Sequence, residues 1–128
     1  MAIRAARRVL GTPYVYGGYS QETGFDCSGL MVYSYLHAGI HLPRTAAQQF
    51  RALRPIRAKN IQAGDLLFFR KNRGRISHVG LYIGNKQFIH APSRGKTVSI
   101  AHLDDPYWQK RFVRAGRIKN TFHFENRI

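Results

Sequence analysis

Helical patterns occupy the first half of the sequence and strand patterns the second, and this order limits the folds open to the chain. The apolar spacing predicts helices at residues 3–10, from 26–28 to about 37, and from 46 to about 53. Strand-like runs follow at residues 65–69, 76–83, 87–91, about 97–100 and 113–118. Short turns join several of these runs, as in an antiparallel meander. We therefore expect an α+β domain with N-terminal helices packed on one antiparallel sheet of about five or six strands.

The sequence indicates a single domain. Its 128 residues fall in the usual single-domain range, and no linker-like, repeated or low-complexity segment divides them. We expect a single domain over residues 1–128, with its core at about 5–118. No apolar run approaches the ~20 residues that cross a bilayer, and the first residues lack the apolar region of a signal peptide.

The only cysteine, Cys27, lies where a Gly-rich loop gives way to a helix pattern. A thiol at a helix N-terminus is close to unpaired N–H groups and to the positive end of the helix dipole. Both stabilise the thiolate, so this position predicts a lowered pKa and a nucleophile. Taken alone, a free cysteine is more often a small buried side chain, and the context has to decide.

Two downstream histidines, His78 and His90, supply that context. Each lies in a strand-like run, where a rigid base would be held, although a buried histidine commonly serves only as a hydrogen-bonding residue. One cysteine with distant histidines is typical of a catalytic set. Their even separation across one tight turn predicts that both face the start of the Cys27 helix, provided that no bulge intervenes.

Six motifs follow one another along the chain: PYVYGG (13–18), DCSGL (26–30), LPRT (42–45), AGDLLFF (63–69), SHVGLYIG (77–84) and FIHA (88–91). Their order and approximate spacing resemble the NlpC/P60 family of papain-like cysteine peptidases, from about Ala5 to Ile118. The loop from Gly18 to Asp26 is about one residue longer than the common family form. The resemblance implies a papain-like fold and hydrolysis of an amide through a thioester.

The roles in such a mechanism fall to four residues. Cys27 would attack the carbonyl, His78 would carry the proton, and His90 would orient His78. The backbone N–H of Cys27 is the expected oxyanion donor. The resemblance brings Tyr16 close to the nucleophile as a further donor, and its simpler reading is a packed aromatic side chain.

The substrate class follows from the resemblance alone. Family members of this type cleave peptidoglycan stem peptides, typically between γ-D-glutamyl and a diamino acid such as meso-diaminopimelate. By analogy, Asp26 and Ser28 contact a free stem-peptide amine, or else they cap the helix. Arg44 binds a substrate carboxylate or forms a salt bridge.

Charge is the other extreme feature, with 21 Lys and Arg against six Asp and Glu and a formal net charge of +15. Such a surface attracts nucleic acid, anionic envelope polymers or lipid headgroups. No helix-turn-helix, RNP-like or zinc-finger pattern accompanies the charge. We therefore expect anionic cell-envelope polymers as partners and no dedicated nucleic-acid recognition.

Other functions use the same residues. A zinc site of Cys27, His78 and His90 lacks the usual ligand spacings, so we expect no metal and no cofactor. An acyltransferase would need an apolar groove or an amphipathic membrane segment. A polyanion-binding module would survive loss of Cys27, and an antibacterial toxin of the same chemistry would bind an immunity partner. We expect a monomer that acts in the periplasm, in the cell envelope or as a secreted protein, with its signal or anchor outside these residues.

Overall fold

The structure, a computed structural model, describes residues 1–71 and 74–119. Its helices are α1 Ala2–Arg8, α2 Cys27–Leu36, α3 Ala46–Ala52 and α4 Pro106–Arg111, with a short 3-10 helix at Ala58–Asn60. Its strands are β1 Tyr19–Ser20, β2 Gly24–Phe25, β3 Arg54–Ile56, β4 Leu66–Phe69, β5 His78–Gly84, β6 Gln87–His90, β7 Ser99–His102 and β8 Phe112–Arg117. The short turn expected between the strand-like runs at residues 65–69 and 76–83 lies partly outside the described residues.

Six strands form one antiparallel sheet in the order β3-β8-β4-β5-β6-β7. Helix α1 packs on α2, and α2 packs on β5. The predicted α+β class, with helices first and an antiparallel sheet of five or six strands, is confirmed. The remaining strands, β1 and β2, pair with each other as a small separate ribbon. None of the helices in the described part combines the length and hydropathy that a membrane crossing needs.

Apolar side chains cover both faces of the central strands. The larger cluster includes Leu30 of α2 and Val79 of β5, and the smaller one includes Phe69 of β4 and Trp108 of α4. Because successive strand residues point to opposite faces, β4 contributes to both clusters and is buried at all four positions. Strand β5 therefore lies between α2 on one side and α4 on the other.

Side-chain caps determine where the helices begin. The carboxylate of Asp26 accepts a hydrogen bond from the N–H of Gly29 at 2.7 Å, which caps α2. Thr45 and Gln48 form a capping box at the start of α3, as the N-cap character of Thr45 predicts. His37 follows α2 as its C-cap residue, and its Nδ1 lies 3.0 Å from the backbone oxygen of Tyr33, one turn earlier.

Three features of the fold are not among the predicted ones: the β1–β2 ribbon, β3 and α4. The strands are two or three residues long, too short to show a periodicity. Helix α4 begins at Pro106, and the carboxylate of Asp105 caps it by accepting from the N–H of Tyr107 at 2.9 Å. Its six residues place Trp108 against the sheet, which becomes important at the site.

Candidate active site

Cys27 is the first residue of α2 and lines an open cleft of about 350 Å³. The cleft lies between the Gly-rich loop, the starts of α2 and α3, and residues 75–77 before β5. The side chain is half-buried, so the sulfur is sheltered at the edge of a cleft that opens to solvent. A group entering this cleft therefore meets the thiol directly.

The thiol of Cys27 also reaches the beginning of β5. The backbone N–H groups of Val79, which follows His78, and of Ser28 lie close enough to the sulfur to lower the pKa of the thiol. Burial and the negative charge of Asp26 raise the pKa of the thiol, whereas the two N–H donors lower it, and the net shift is upward. The prediction of a lowered pKa is wrong, because desolvation outweighs the stabilisation at the helix N-terminus.

His78 and His90 form a buried pair. Nε2 of His78 lies 2.8 Å from Nδ1 of His90, and the two residues are only 1% and 3% exposed. Burial lowers the pKa of His78 well below its usual value and that of His90 to about 4. Both rings are therefore neutral at pH 7, and Nδ1 is the nitrogen of His78 that does not face its partner. Within the described ranges, no three His, Cys, Asp or Glu side chains are grouped to hold a metal ion.

A β-bulge in the β5–β6 hairpin puts the two histidines on one face. The paired residues are Leu81↔Ile89, Tyr82↔Phe88 and Gly84↔Gln87, with one extra residue on β5. If the register at Gly84↔Gln87 continued without a bulge, Leu81 would lie opposite His90, and His78 would point to the other face of the sheet. The even number of residues between His78 and His90 does not by itself place them on one face. They share a face because of the bulge, which the prediction assumed to be absent.

The two imidazoles lie on the face of the sheet that α4 covers. The ring of His78 stacks on Trp108 at 5.1 Å between centroids and 23° between planes, and His90 meets Trp108 edge-on at 5.2 Å. Helix α2 packs on the opposite face of the sheet, and the prediction that both rings face its start stays a prediction. Cys27 lies at the beginning of β5, beside Val79. Trp108 was missed because the six-residue α4 gives no usable helical pattern.

Asp26, Ser28 and Arg44 form one hydrogen-bonded network. Arg44 pairs with Asp26 at 3.0 Å and donates to the hydroxyl of Ser28 at 2.9 Å. Arg44 also donates to the carbonyl of Gly18, while Asp26 accepts from the N–H of Gly17. The network therefore fixes the Gly-rich loop against the start of α2. Asp26 and Ser28 line the cleft, whereas among the described residues Arg44 is not part of its lining.

Two tyrosines, Tyr14 and Tyr16, line the same cleft. Tyr16 is 80% exposed and stands at the rim. Tyr14 is half-buried, and burial followed by the charge of Cys27 raises the pKa of its hydroxyl. The hydroxyl of Tyr14 is thus within electrostatic reach of the thiolate. Tyr14 was not among the predicted site residues, because the two tyrosines of the motif differ only in how the folded loop packs.

The model of the NlpC/P60 family matches residues 11–117. The chain belongs to the NlpC/P60 family. This confirms the resemblance drawn from the six motifs.

Related proteins of known sequence or structure match most of the length of this NlpC/P60 domain. It is 42% identical over 122 residues to the murein DD-endopeptidase MepH of Escherichia coli (strain K12), covering 92% of this chain and 45% of the relative. It is 43% identical over 119 residues to the bifunctional muramidase/DL-endopeptidase CwlT of Bacillus subtilis (strain 168), covering 91% and 36%. A crystal structure of an NLP/P60 family protein, similar to lipoprotein, from Staphylococcus aureus superposes with a TM-score of 0.84 at 39% identity, covering 93% and 41%. The chain spans less than half the length of these relatives.

Proposed function

We propose that this NlpC/P60 domain is a cysteine endopeptidase that hydrolyses peptidoglycan stem peptides. The observation that carries the proposal is the position of Cys27: its sulfur lies at a helix N-terminus, in an open cleft, and close to the backbone of Val79, the residue after His78 of the His78–His90 pair. The names of the relatives, a murein DD-endopeptidase and a DL-endopeptidase, support the substrate class.

The first step joins the sulfur of Cys27 to the scissile carbonyl carbon. Because the thiol and His78 are both neutral at pH 7, His78 acts as a general base during the attack and takes the thiol proton on Nδ1. The carbonyl oxygen becomes an oxyanion. The backbone N–H of Cys27 and the hydroxyl of Tyr14 stabilise it, with Tyr16 as the alternative donor at the rim.

The second step breaks the C–N bond. The imidazolium of His78 gives its proton to the leaving amine, which leaves a thioester on Cys27. Water then attacks the thioester, His78 takes a proton from the water, and the thiol and a free carboxylic acid are restored. A pKa of about 4 keeps His90 neutral throughout, so its Nδ1 accepts from Nε2–H of the protonated His78 and holds the ring in place.

We further propose that the bond cut lies between γ-D-glutamyl and diaminopimelate, as the motif resemblance implies. The relatives' names cover both DD- and DL-endopeptidases, so the bond has to be determined on this chain. Since peptidoglycan lies outside the cytoplasmic membrane, the place of action is the periplasm or cell envelope. Asp26, Ser28 and Arg44 position the substrate indirectly, by fixing the Gly-rich loop that carries the tyrosines.

Mass spectrometry of muropeptides tests the function and the bond together. Purified sacculi incubated with the protein should release soluble muropeptides that end at γ-D-glutamate. Cys27→Ala, checked by circular dichroism for an unchanged fold, serves as the matched control and should release none. Release by Cys27→Ala equal to that of the native protein, or no release by either, would rule out the proposed reaction.

A further inference from the structure

The cleft at Cys27 continues into a second depression of about 270 Å³. The two depressions share Ala47, Arg75 and Ile76, so they form one continuous groove on the surface. We call the second part the arginine groove, and it is defined by Arg51, Arg70 and Arg75 around Phe50 and Ile76. A ligand that fills the Cys27 cleft and extends past Ala47 enters this groove.

Three guanidinium groups converge there from different elements. Arg51 lies on α3, Arg70 follows β4, and Arg75 lies three residues before His78; all three residues are exposed. Among the described residues, the carboxylates form ion pairs only with Arg44 and Arg117, and none pairs with these three. The arginine groove is therefore strongly positive and has no described counter-charge of its own.

The apolar wall of the arginine groove is held in place from behind. The guanidinium of Arg114 lies 3.7 Å from the ring centroid of Phe50 and donates to its backbone oxygen at 2.8 Å. Phe50 also meets Phe68 of the core edge-on at 5.4 Å. The groove thus presents a fixed aromatic surface beside three exposed guanidinium groups, a surface that suits an aliphatic chain ending in carboxylate groups.

We propose that the arginine groove is a substrate subsite that binds the carboxylate-bearing residues of a stem peptide whose scissile bond lies at Cys27. The inference rests on the proposed function and extends it to the recognition of substrate charge. Guanidinium groups pair with carboxylates in bidentate geometry, and Phe50 and Ile76 contact the methylene groups between them. Amidation of those carboxylates removes the charge that the groove recognises.

Binding to the inactive Cys27→Ala protein tests the subsite without turnover. The probe is a fluorescent stem peptide with free carboxylates, compared with the same peptide fully amidated. The groove variant R51Q/R70Q/R75Q and the control variant R4Q/R7Q/R8Q each remove three exposed positive charges; the control residues lie at α1, outside both depressions. The groove variant should bind the free peptide about tenfold more weakly, because it loses three arginine–carboxylate ion pairs that solvent and salt partly screen. The control variant should bind it within about twofold of the Cys27→Ala parent.

Several results would overturn the subsite. They are equal weakening in both triple variants, equal weakening for the amidated peptide, or tighter binding of an oligonucleotide than of the peptide through the same arginines. Thermal unfolding by circular dichroism checks the fold, and the single variants R51Q and R75Q replace the triple if it does not fold. Each single variant should then weaken binding by about twofold.

Kinetics with Cys27 restored separates the subsite from the proposed function. The groove variant should raise KM about tenfold for the free peptide and leave kcat within about twofold. Groove-dependent binding without any peptide hydrolysis would support the subsite and refute the peptidase. Hydrolysis with unchanged KM in the groove variant would support the peptidase and refute the subsite.

Discussion

The two halves of the candidate active site are built in opposite ways. Around Cys27 the side chains are partly exposed, charged and joined by hydrogen bonds, with Arg44 bridging Asp26 and Ser28. The His78–His90 pair is buried, neutral and enclosed by aromatic rings, Trp108 among them. The first half is made mostly from neighbours in sequence, and the second requires two strands and a helix to meet.

This difference shows what each half contributes. The polar network fixes the position of the nucleophile and of the Gly-rich loop, while remaining open to the substrate. The aromatic enclosure removes water from the histidines and so fixes their protonation state. We expect changes in the buried half to alter rate, acid stability and pH dependence more than conservative changes in the exposed half.

The largest effect is expected from His78→Ala. Losing the group that takes and returns the proton should lower kcat on a soluble stem peptide by on the order of 10³-fold or more. Steady-state kinetics measures this, with His41→Ala, at an exposed histidine outside the cleft, as the control. Activity within tenfold of the native protein would mean that another group carries the proton.

The next effect separates the two roles in the buried pair. His90→Gln keeps a polar group able to accept from Nε2 of His78, so we expect activity within about tenfold of the native protein. His90→Ala removes the partner and should cost about 100-fold or more in kcat. Equal and complete losses in both variants would show that His90 does more than orient His78.

The loss of stability in acid should reveal that the buried His90 is neutral in the folded protein. Between pH 6.5 and about 4 the unfolded chain binds a proton at His90 that the folded chain does not, so the free energy of unfolding falls as pH falls. For His90 the loss is about 3 kcal/mol across that window. Urea unfolding at several pH values measures it; His90→Gln should flatten the curve and His41→Gln should not. An unchanged slope in His90→Gln would contradict a neutral buried His90.

A smaller effect is expected from Lys71, whose ammonium lies 3.4 Å from the backbone oxygen of Pro92. After burial, the positive charge of Lys71 further lowers the pKa of both His78 and His90. Lys71→Met should raise these pKa values, so the acid limb of kcat/KM should move to higher pH. Lys59→Met, on the exposed 3-10 helix, is the control. An acid limb that stays in place or moves to lower pH would contradict this electrostatic role.

Local signals in the sequence were sufficient for the helix starts in the exposed half of the site. Asp26 caps the helix that Cys27 begins, and Thr45 starts α3, because capping depends on residues within one turn. The central strands were also predicted, from their apolar runs. The two catalytic candidates on those strands were therefore placed on the right elements.

Long-range packing determines what the sequence did not reveal. The bulge that aligns His78 with His90 depends on strand register, and Trp108 covers them from a helix too short to show a pattern. The raised pKa of the Cys27 thiol follows from burial by distant residues. The bulge, the position of Trp108 and the pKa of the thiol all depend on residues far apart in the sequence, so no short segment of the sequence predicts them.

Trapping the acyl-enzyme tests the central claim, covalent catalysis by Cys27, most directly. Native protein mixed rapidly with a soluble stem peptide and quenched in acid should gain the mass of the acyl half, mapped by peptide mass spectrometry to Cys27. His78→Ala should form the adduct far more slowly, and Cys27→Ala should form none. Hydrolysis at full rate by Cys27→Ala, or an adduct mapped to another residue, would contradict the account.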